Sequence, residues 1–599
     1  MDILMPSRTL PDKTAKADPI AFSHQMTEIV ERLKPMLAEY SEKLQKSGMT
    51  DPMNLQEVFG RYYEEALKNP QNLLDIQADY FSNMMKIWQA AGKKMVGENA
   101  ENIIQPEPGD KRFRDPVWNE NPAFDFIKQA YLLTSRTIRK SVSETGGLDK
   151  HEKAKLDFVM RQFTDSFSPT NFPATNPEVL RATLSSNGQN ILDGLQNFLK
   201  DLERGKGDLQ ISKTNYDAFE VGKNLAVTAG KVIYQNDLMQ LIQYSPSTEK
   251  VFETPLLIVP PWINKYYILD MRPDNSLVKW AIDQGHTVFM ISWANPDEKL
   301  AGKNFDSYMK EGLLTALHEI RVALSCEKTN VIGYCIGGTL LAATLAYMAE
   351  KNTADQIASA TFLTTLIDFS DAGDLSVFID DYQLDALDKK MADKGYLPAA
   401  ELRNTFSTLR ANDLVWSYVI NNYMLGKDPF QFDLLYWNDD STNMPAAMHS
   451  FYLRNMYKDN LLCKPGGISL DGMGIDIGKI KTPAYFLSTK EDHIAPWKTT
   501  FNGAALLGGD TVFVLSASGH VAGVVNPPSA KKYHYWSGSK FDKQTSPDEW
   551  LGHARQWDGS WWDHWKDWIK TFAGAEIPSR QVVNGIEDAP GSYVKKKAL

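Results

Sequence analysis

The sequence predicts an α/β protein, in which a mostly parallel sheet is wrapped by helices and a mainly helical region comes first. From about residue 225 onward, short β-branched and aromatic runs alternate with helical stretches, which is the pattern of a parallel sheet with helical connections. Between about residues 20 and 210, apolar residues recur three and four positions apart, as in MTEIVERLKPMLAEY at 26–40. No strand-like run stands out in that first region.

Length and composition limit the classes of function. A chain of 599 residues is long enough for two folded regions, and its 43% hydrophobic and 23% charged residues are typical of a globular protein. The net charge of -11 argues against nucleic acid as the main partner. No secretion signal is recognisable and no apolar run reaches the roughly 18 residues that span a bilayer, so we expect a cytoplasmic protein without a transmembrane segment.

The order of elements predicts the domain organisation. We expect a flexible tail at 1–20, a helical N-terminal domain at 21–215 and an α/β domain at 216–599. An aromatic-rich insertion at about 371–475 interrupts the strand pattern, and we interpret it as a cap over the carboxyl ends of the strands, where α/β proteins place their sites. The predicted strands lie in KVIYQ, MQLIQYSP, PLLIVPP, HTVFMISWA, TNVIGY, ATFLTTLIDF, AYFLST and TVFVLSA.

The strongest local signal is a nucleophile elbow. In TNVIGYCIGGTLLAATLAYMA, a β-branched run leads into Gly333-Tyr334-Cys335-Ile336-Gly337 and then into an Ala/Leu-rich helix. This is G-x-S-x-G with cysteine in place of serine, and it predicts an α/β-hydrolase fold with Cys335 as nucleophile. The glycines suit the sharp turn from strand to helix, and the helix N-terminus favours a thiolate.

An elbow of this kind predicts an acid and then a histidine later in the chain. Asp492 follows the strand run AYFLST, and His520 follows TVFVLSA on a Ser-Gly-His turn. Asp368 also follows a strand run and is the competing acid. The other histidines near these positions are weaker candidates for the base: His493, His534, His553 and His564.

The oxyanion hole of this fold takes one backbone N–H from the residue after the nucleophile, here Ile336. The second comes from the loop after an earlier strand, here PLLIVPPWINKYYILD at 255–270. We predict the N–H of Trp262 or Ile263 as this second donor, and we select Ile263.

The three cysteines, Cys326, Cys335 and Cys463, form no disulfide framework and show no metal-ligand spacing. We therefore predict no metal and a reducing compartment. For Cys326 and Cys463 we expect buried, unreactive thiols.

Five separated motifs resemble polyhydroxyalkanoate synthases of the single-component class I: IVPPWINKYYILDM, GYCIGG, LLYWNDDSTNMP, EDHIAPW and GHVAGVVNPP. The likeness extends from SPTNFPATNP near residue 168 to the final GSYVKK. It implies an acyltransferase that polymerises (R)-3-hydroxyacyl-CoA, with Cys335 carrying the chain as a thioester and Asp492 and His520 completing a triad. It also implies a homodimer whose cap regulates access, a helical domain that aids binding to polyester granules, and no cofactor, since CoA is the leaving group.

The chemistry of the substrate agrees with a cysteine nucleophile, because transfer from CoA to Cys335 exchanges one thioester for another at nearly constant free energy. Arg410, Asn460 and His493 are candidates for contacts with CoA. An aromatic cap that contains Trp416, Trp437 and Tyr452 would exclude water. Whether His520 or Asp492 activates the 3-hydroxyl is left open by the sequence.

Two interpretations of the tryptophan cluster at 550–568 also remain open: a closing helix packed on the sheet, or a contact with a polymer surface. The rival functions are a cysteine hydrolase of the dienelactone-hydrolase type and a non-catalytic granule-surface protein.

Overall fold

The computed structural model describes residues 53–538, 541–582 and 585–598. The described residues divide into two units, one built from Tyr216–Asn404 and the described part of Phe432–Leu599, and the other from residues 53–215 together with Thr405–Gln431. The predicted tail at 1–20 and the helical segment at 26–40 lie outside the described residues.

The helices and connecting loops of the N-terminal unit include no strand in its described part, as the spacing of its apolar residues predicts. Three of its helices begin at Asn-Pro pairs, Asn69-Pro70, Asn121-Pro122 and Asn176-Pro177, where the asparagine side chain accepts the first free N–H groups and proline occupies the first helical position. Its helices are Leu55–Lys68, Pro70–Met95, Val117–Glu120, Pro122–Glu144, Lys150–Ser166, Pro177–Ser185 and Gln189–Arg204.

The segment Thr405–Gln431, which lies within the predicted insertion, packs with these helices. The Asn190 amide donates to the carbonyl oxygen of Met424 over 2.7 Å. The Tyr423 hydroxyl donates to the carboxylate of Asp201 over 2.6 Å. One part of the insertion therefore completes the helical unit.

The other unit is organised around an eleven-stranded sheet. In chain order its strands are β1 (Gly230–Gln235), β2 (Met239–Tyr244), β3 (Leu256–Val259), β4 (Val288–Trp293), β5 (Thr329–Tyr334), β6 (Ile357–Leu363), β7 (Ala484–Thr489), β8 (Thr511–Ser516), β9 (His534–Ser537), β10 (Arg555–Asp558) and β11 (Glu587–Asp588). Their order across the sheet is β10-β9-β8-β7-β6-β5-β3-β4-β2-β1-β11.

Six strands are parallel to one another, in the order β4, β3, β5, β6, β7 and β8 across the sheet, and antiparallel strands flank this group on both sides. All eight predicted runs contain a strand of this sheet. The run ATFLTTLIDF differs in extent, because β6 ends at Leu363 rather than near Asp368. Thr364 has a positive φ of 44°, which turns the chain out of the sheet.

Alternate residues of the central strands feed two apolar cores, one on each face of the sheet. On β3, for example, Leu257 and Val259 belong to one core, and Leu256 and Ile258 to the other. Helices cover both faces, so the central parallel strands are buried along most of their length and consist mostly of apolar residues. The main helices of this unit outside the insertion are Leu277–Asp283, Thr315–Leu324, Ile336–Glu350, Trp497–Leu506, Pro547–His553 and Trp562–Ile569.

The insertion separates β6 from β7 and contributes short helices and small strand pairs. Its helices in this unit include Asp381–Ala392, Asp433–Asp439 and Ala446–Tyr452. The helix Ala399–Leu409 is divided, since its residues up to Asn404 belong to this unit and the rest belong to the helical unit. Two strand pairs belong to it, Tyr396–Leu397 with Met444–Pro445, and Ser469–Leu470 with Met473–Gly474. A further pair outside it joins Lys250–Phe252 to Glu576–Pro578.

The start of the helix Ile336–Glu350 packs tightly on the end of β3, and this contact generates a prediction. A Cβ atom on Gly337 would lie 2.3 Å from the carbonyl oxygen of Val259. We expect Gly337→Ala to lower the free energy of unfolding by about 1–3 kcal/mol, the usual cost of overpacking. Chemical denaturation measures this.

The matched control is Gly552→Ala, since the position lies in the helix Pro547–His553 with nothing within 4 Å of the added Cβ. That variant should be as stable as the parent or slightly more stable. Equal stability of the two variants would contradict the close contact at Gly337.

Candidate active site

Cys335 occupies a strained turn between β5 and the helix Ile336–Glu350. Its φ of 53° and ψ of -124° lie outside the regions that a side chain normally allows. The turn is held by a hydrogen bond from the Cys335 N–H to the Leu363 carbonyl at 2.9 Å, and by the Gly338 N–H, which donates to the Cys335 carbonyl at 2.9 Å. A Cβ atom on Gly333 would lie 2.4 Å from the Cα atom of Gly338, so the turn requires glycine there.

Asp492 and His520 form a buried pair at the carboxyl ends of β7 and β8. His520 Nδ1 lies 2.7 Å from Asp492 Oδ2. The other carboxylate oxygen, Oδ1, accepts the backbone N–H groups of Ile494 and Ala495, each at 2.9 Å. With its side chain fully buried and both oxygens engaged, Asp492 is fixed in orientation and holds the imidazole in turn.

The charges of this pair support each other. Burial alone would lower the pKa of His520, but the charges of Asp492 and Cys335 and the hydrogen bond to Asp492 outweigh it and raise that pKa well above its ordinary value. Burial would likewise raise the pKa of Asp492, yet the charge and hydrogen bond of His520 lower it. The pair is therefore stabilised as an imidazolium beside a carboxylate.

The competing residues have other partners. Asp368 accepts the Asn460 amide at 2.7 Å. His553 Nδ1 lies 2.8 Å from the Glu549 carbonyl oxygen. The rings of His534 and Trp536 stand edge to face, and His564 Nδ1 lies 3.0 Å from the hydroxyl of Tyr485. The structure thus joins His520 with Asp492 rather than with Asp368.

The sequence did not reveal the groups that hold the histidine loop. The Tyr334 hydroxyl donates to the His520 carbonyl at 3.3 Å, and the two rings stack with centroids 5.6 Å apart. The indole N–H groups of Trp561 and Trp562 donate to carbonyls of the same loop, those of Gly523 and Val524, at 3.0 and 2.9 Å. The elbow motif contained Tyr334, and the tryptophan cluster contained the two indoles, but neither pattern indicates which carbonyl they bind.

The tryptophan cluster mostly packs in the interior. Trp550, Trp561, Trp562 and Trp565 are buried, whereas Trp557 is exposed and stacks with the Arg555 guanidinium, whose carbon lies 3.9 Å from the ring centroid. These contacts agree with a helix that closes over the sheet.

Two aromatic side chains of the insertion interact with Cys335. Tyr452 is buried and Tyr457 is half-buried, with ring centroids 5.3 Å apart, and their enclosed surroundings together with the charge of Cys335 raise the pKa of both. Trp437 is instead part of the core and donates its indole N–H to the Lys265 carbonyl at 2.7 Å. Trp416 belongs to the helical unit.

The two predicted oxyanion donors lie on adjoining segments. Ile336 is the first residue of the helix after Cys335, and Ile263 follows the end of β3. The close approach of Gly337 to the Val259 carbonyl brings the helix start against the loop that contains Ile263. Within the described part of the chain, neither N–H donates to another group.

The residues predicted to contact CoA occupy separate places. Arg410 belongs to the helical unit, where its guanidinium donates to Asp413. Asn460 binds the loop after β6, where its amide oxygen accepts the Phe369 N–H at 2.8 Å. The backbone carbonyl of His493, next to Asp492, accepts the Asp374 N–H at 3.2 Å.

The other thiols have a different environment. Burial raises the pKa of Cys326 and Cys463, and the sulfur of Cys463 donates to the Asn460 carbonyl at 3.2 Å. Neither has a histidine partner among the described residues.

Comparisons with known proteins place the chain in a family. Residues 109–281 match the family model described as "Poly-beta-hydroxybutyrate polymerase (PhaC) N-terminus", and residues 263–527 match the alpha/beta hydrolase fold. The chain is 44% identical over 591 residues, 97% of its length and 96% of the relative's, to the poly(3-hydroxyalkanoate) polymerase subunit PhaC of Rhizobium meliloti. It belongs to the poly(3-hydroxyalkanoate) polymerase family.

Two further relatives carry similar names. The poly(3-hydroxyalkanoate) polymerase of Methylorubrum extorquens is 48% identical over 90% of this chain and 89% of its own. The poly(3-hydroxyalkanoate) polymerase subunit PhaC of Cupriavidus necator is 41% identical over 88% of this chain and 89% of its own. The predicted family, the α/β-hydrolase fold and the assignment as an acyltransferase of the polymerase family are confirmed.

Two negative findings concern the described ranges of this polymerase. They contain no group of three or more His, Cys, Asp or Glu side chains placed to hold a metal ion. They also contain no helix with the length and apolar character that crossing a membrane requires.

The charge pairing at the site predicts how His520 titrates. In protein labelled with ¹³C at histidine, we expect the His520 resonance to titrate well above the ordinary pKa of a histidine, and Asp492→Asn to lower that pKa because burial then acts without the opposing charge. NMR over a pH series measures this, with His520→Gln to assign the resonance.

Two controls accompany this titration. His286 and His449, whose pKa burial lowers to about 4, should stay neutral throughout. Asp368→Asn, which removes a carboxylate bound to Asn460, should leave the pKa of His520 unchanged. An equal response to both aspartate substitutions would show that Asp492 is not the specific partner.

Proposed function

We propose that this chain polymerises (R)-3-hydroxyacyl-CoA, with 3-hydroxybutyryl-CoA as the expected substrate, and that Cys335 carries the growing polyester as a thioester. The observation that carries the proposal is the buried Asp492–His520 pair beside a cysteine on a strained elbow, in a chain of the polymerase family. A cysteine nucleophile suits a thioester substrate, because acylation of Cys335 exchanges one thioester for another.

In the first step the Cys335 sulfur attacks the thioester carbonyl and its proton moves to His520. The raised pKa of His520 favours this transfer. The bond between the carbonyl carbon and the CoA sulfur then breaks, and CoA leaves with the proton that His520 held. Backbone N–H groups of Ile336 and Ile263 stabilise the negative charge on the carbonyl oxygen meanwhile.

In the second step the oxygen of a 3-hydroxyl attacks the carbonyl carbon of an acyl thioester, and His520 takes the hydroxyl proton. The new ester bond forms as the bond between the carbonyl carbon and the thioester sulfur breaks, and the sulfur leaves with the proton that His520 took. Asp492 is the less suitable base, since Oδ1 accepts two backbone N–H groups and Oδ2 is bound to His520 and to the Thr489 hydroxyl. Its role is to orient His520 and to stabilise its positive charge. We therefore assign proton transfer in both steps to His520.

The finer features of the proposal follow from the product. A growing ester must be protected from water, and the aromatic rings of the buried Tyr452 and the half-buried Tyr457 provide a surface for this. We propose that no cofactor takes part, that the chain works as a homodimer at the surface of the polyester granule, and that the helical unit aids this association. Arg410, Asn460 and His493 remain candidates for contacts with CoA.

Substitution of the nucleophile tests the proposal. With 3-hydroxybutyryl-CoA we expect the parent protein to release CoA and to form insoluble polyester, and Cys335→Ala to lower both by about 10⁶-fold, into the background. Cys326→Ser, at a thiol without a histidine partner in the described structure, is the matched control and should keep full turnover. Retained turnover in Cys335→Ala would eliminate the proposed nucleophile.

The products distinguish the rival functions. Release of CoA with free 3-hydroxybutyrate and no insoluble polymer would favour the cysteine hydrolase. The absence of CoA release by the parent protein would favour a non-catalytic granule protein.

A further inference from the structure

The loop after β3, which contains the proposed oxyanion donor Ile263, is held through its carbonyl groups. The Trp293 indole N–H donates to the Pro260 carbonyl at 2.9 Å, and the Trp437 indole N–H donates to the Lys265 carbonyl at 2.7 Å. Carbonyl orientation fixes the peptide planes, and with them the directions of the N–H groups between. This loop is therefore oriented by donors that come from other parts of the sequence.

Thr442 supplies two further donors, which bind the two carbonyl groups at the centre of the loop. Its hydroxyl donates to the Trp262 carbonyl and its backbone N–H donates to the Ile263 carbonyl at 3.3 Å. The Trp262 carbonyl belongs to the same peptide group as the Ile263 N–H. The bond to the Thr442 hydroxyl thus determines where that N–H points.

The segment that contains Thr442 is itself anchored. Lys265 Nζ and Asp440 Oδ1 form a buried ion pair at 2.8 Å, and the Tyr267 hydroxyl donates to the other oxygen of Asp440 at 3.0 Å. The neighbouring Asn443 amide donates to the Pro296 carbonyl at 2.9 Å. A buried polar segment with this many partners has little freedom to move.

We infer that Thr442 is a positioning residue of the oxyanion hole, which orients the Ile263 N–H through the Trp262 carbonyl. The inference rests on the proposed function, because it concerns the carbonyl oxygen of the acyl group attacked by Cys335. Since Thr442 lies in the insertion between β6 and β7, the same residue links the insertion to the reacting centre. Because the carbonyls of Trp262 and Ile263 both accept from Thr442, the Ile263 N–H between them is left to bind the oxygen of the acyl group.

Thr442→Val, which removes the hydroxyl and keeps the shape, tests this inference. We expect the kcat for CoA release from 3-hydroxybutyryl-CoA to fall by about 10–100-fold with KM unchanged, because a misplaced donor acts mainly on the transition state. Thr442→Ser keeps the hydroxyl and should recover most of the turnover. Wild-type turnover in Thr442→Val would overturn the inference.

Alkylation of Cys335 separates positioning from a general structural effect. Iodoacetamide forms a bond from carbon to the Cys335 sulfur and loses iodide, and no negative charge develops on a carbonyl oxygen. Thr442→Val should therefore be alkylated at Cys335 at the parent rate, as followed by peptide mass spectrometry. Equal losses of alkylation and turnover, or a Thr442→Ser variant as slow as Thr442→Val, would overturn the inference.

The matched control is Thr344→Val, which removes another fully buried hydroxyl, one that donates to the Leu340 carbonyl at 2.7 Å within its own helix. This variant should keep parental turnover, and an equal loss there would refute a specific role for Thr442. The failure of the proposed function is distinguishable: it appears as turnover in Cys335→Ala. If Cys335→Ala is inactive and Thr442→Val is fully active, only the inference about Thr442 fails.

Discussion

The turn at Cys335 is the constraint on which the site depends. A non-glycine residue with a φ of 53° is held in place only when its surroundings leave no alternative, and here β5, β6 and the start of the following helix provide those surroundings. The tight turn brings the helix start against the end of β3, so that Cys335, the loop that contains Ile263 and the Asp492–His520 pair lie at one edge of the sheet. The register of the parallel strands delivers each of them there, since Val259 pairs with Gly333 and Thr489 with Ser516.

Much of this arrangement is local in sequence and could be predicted. The central strands are short apolar runs between helices, and the elbow is a contiguous motif. The order Cys335, Asp492, His520 follows from the sequence positions of strand ends, since consecutive strand ends meet at the same edge. The sequence pattern predicts that β6 extends to about Asp368, whereas the strand ends at Leu363. An apolar run does not show where a residue such as Thr364 adopts a positive φ.

The sequence does not predict contacts between residues that are far apart in the chain. Tyr334 binds the carbonyl of His520, the indoles of Trp561 and Trp562 bind the loop beyond it, and Thr442 binds the loop after β3. Threonine and tryptophan are common interior residues, and their type does not reveal which carbonyl they reach. The partner becomes apparent only when the fold brings the two segments together.

The helical unit has a further property, because it is not continuous in sequence. Thr405–Gln431 lies deep within the C-terminal half of the chain and yet packs among helices that end before residue 216. A cut between the two halves would therefore not yield two self-sufficient proteins. The C-terminal fragment would keep a segment deprived of its packing partners, and the N-terminal fragment would lack a piece of its own interior. During synthesis, likewise, the helical unit cannot complete its packing until Thr405–Gln431 has been made.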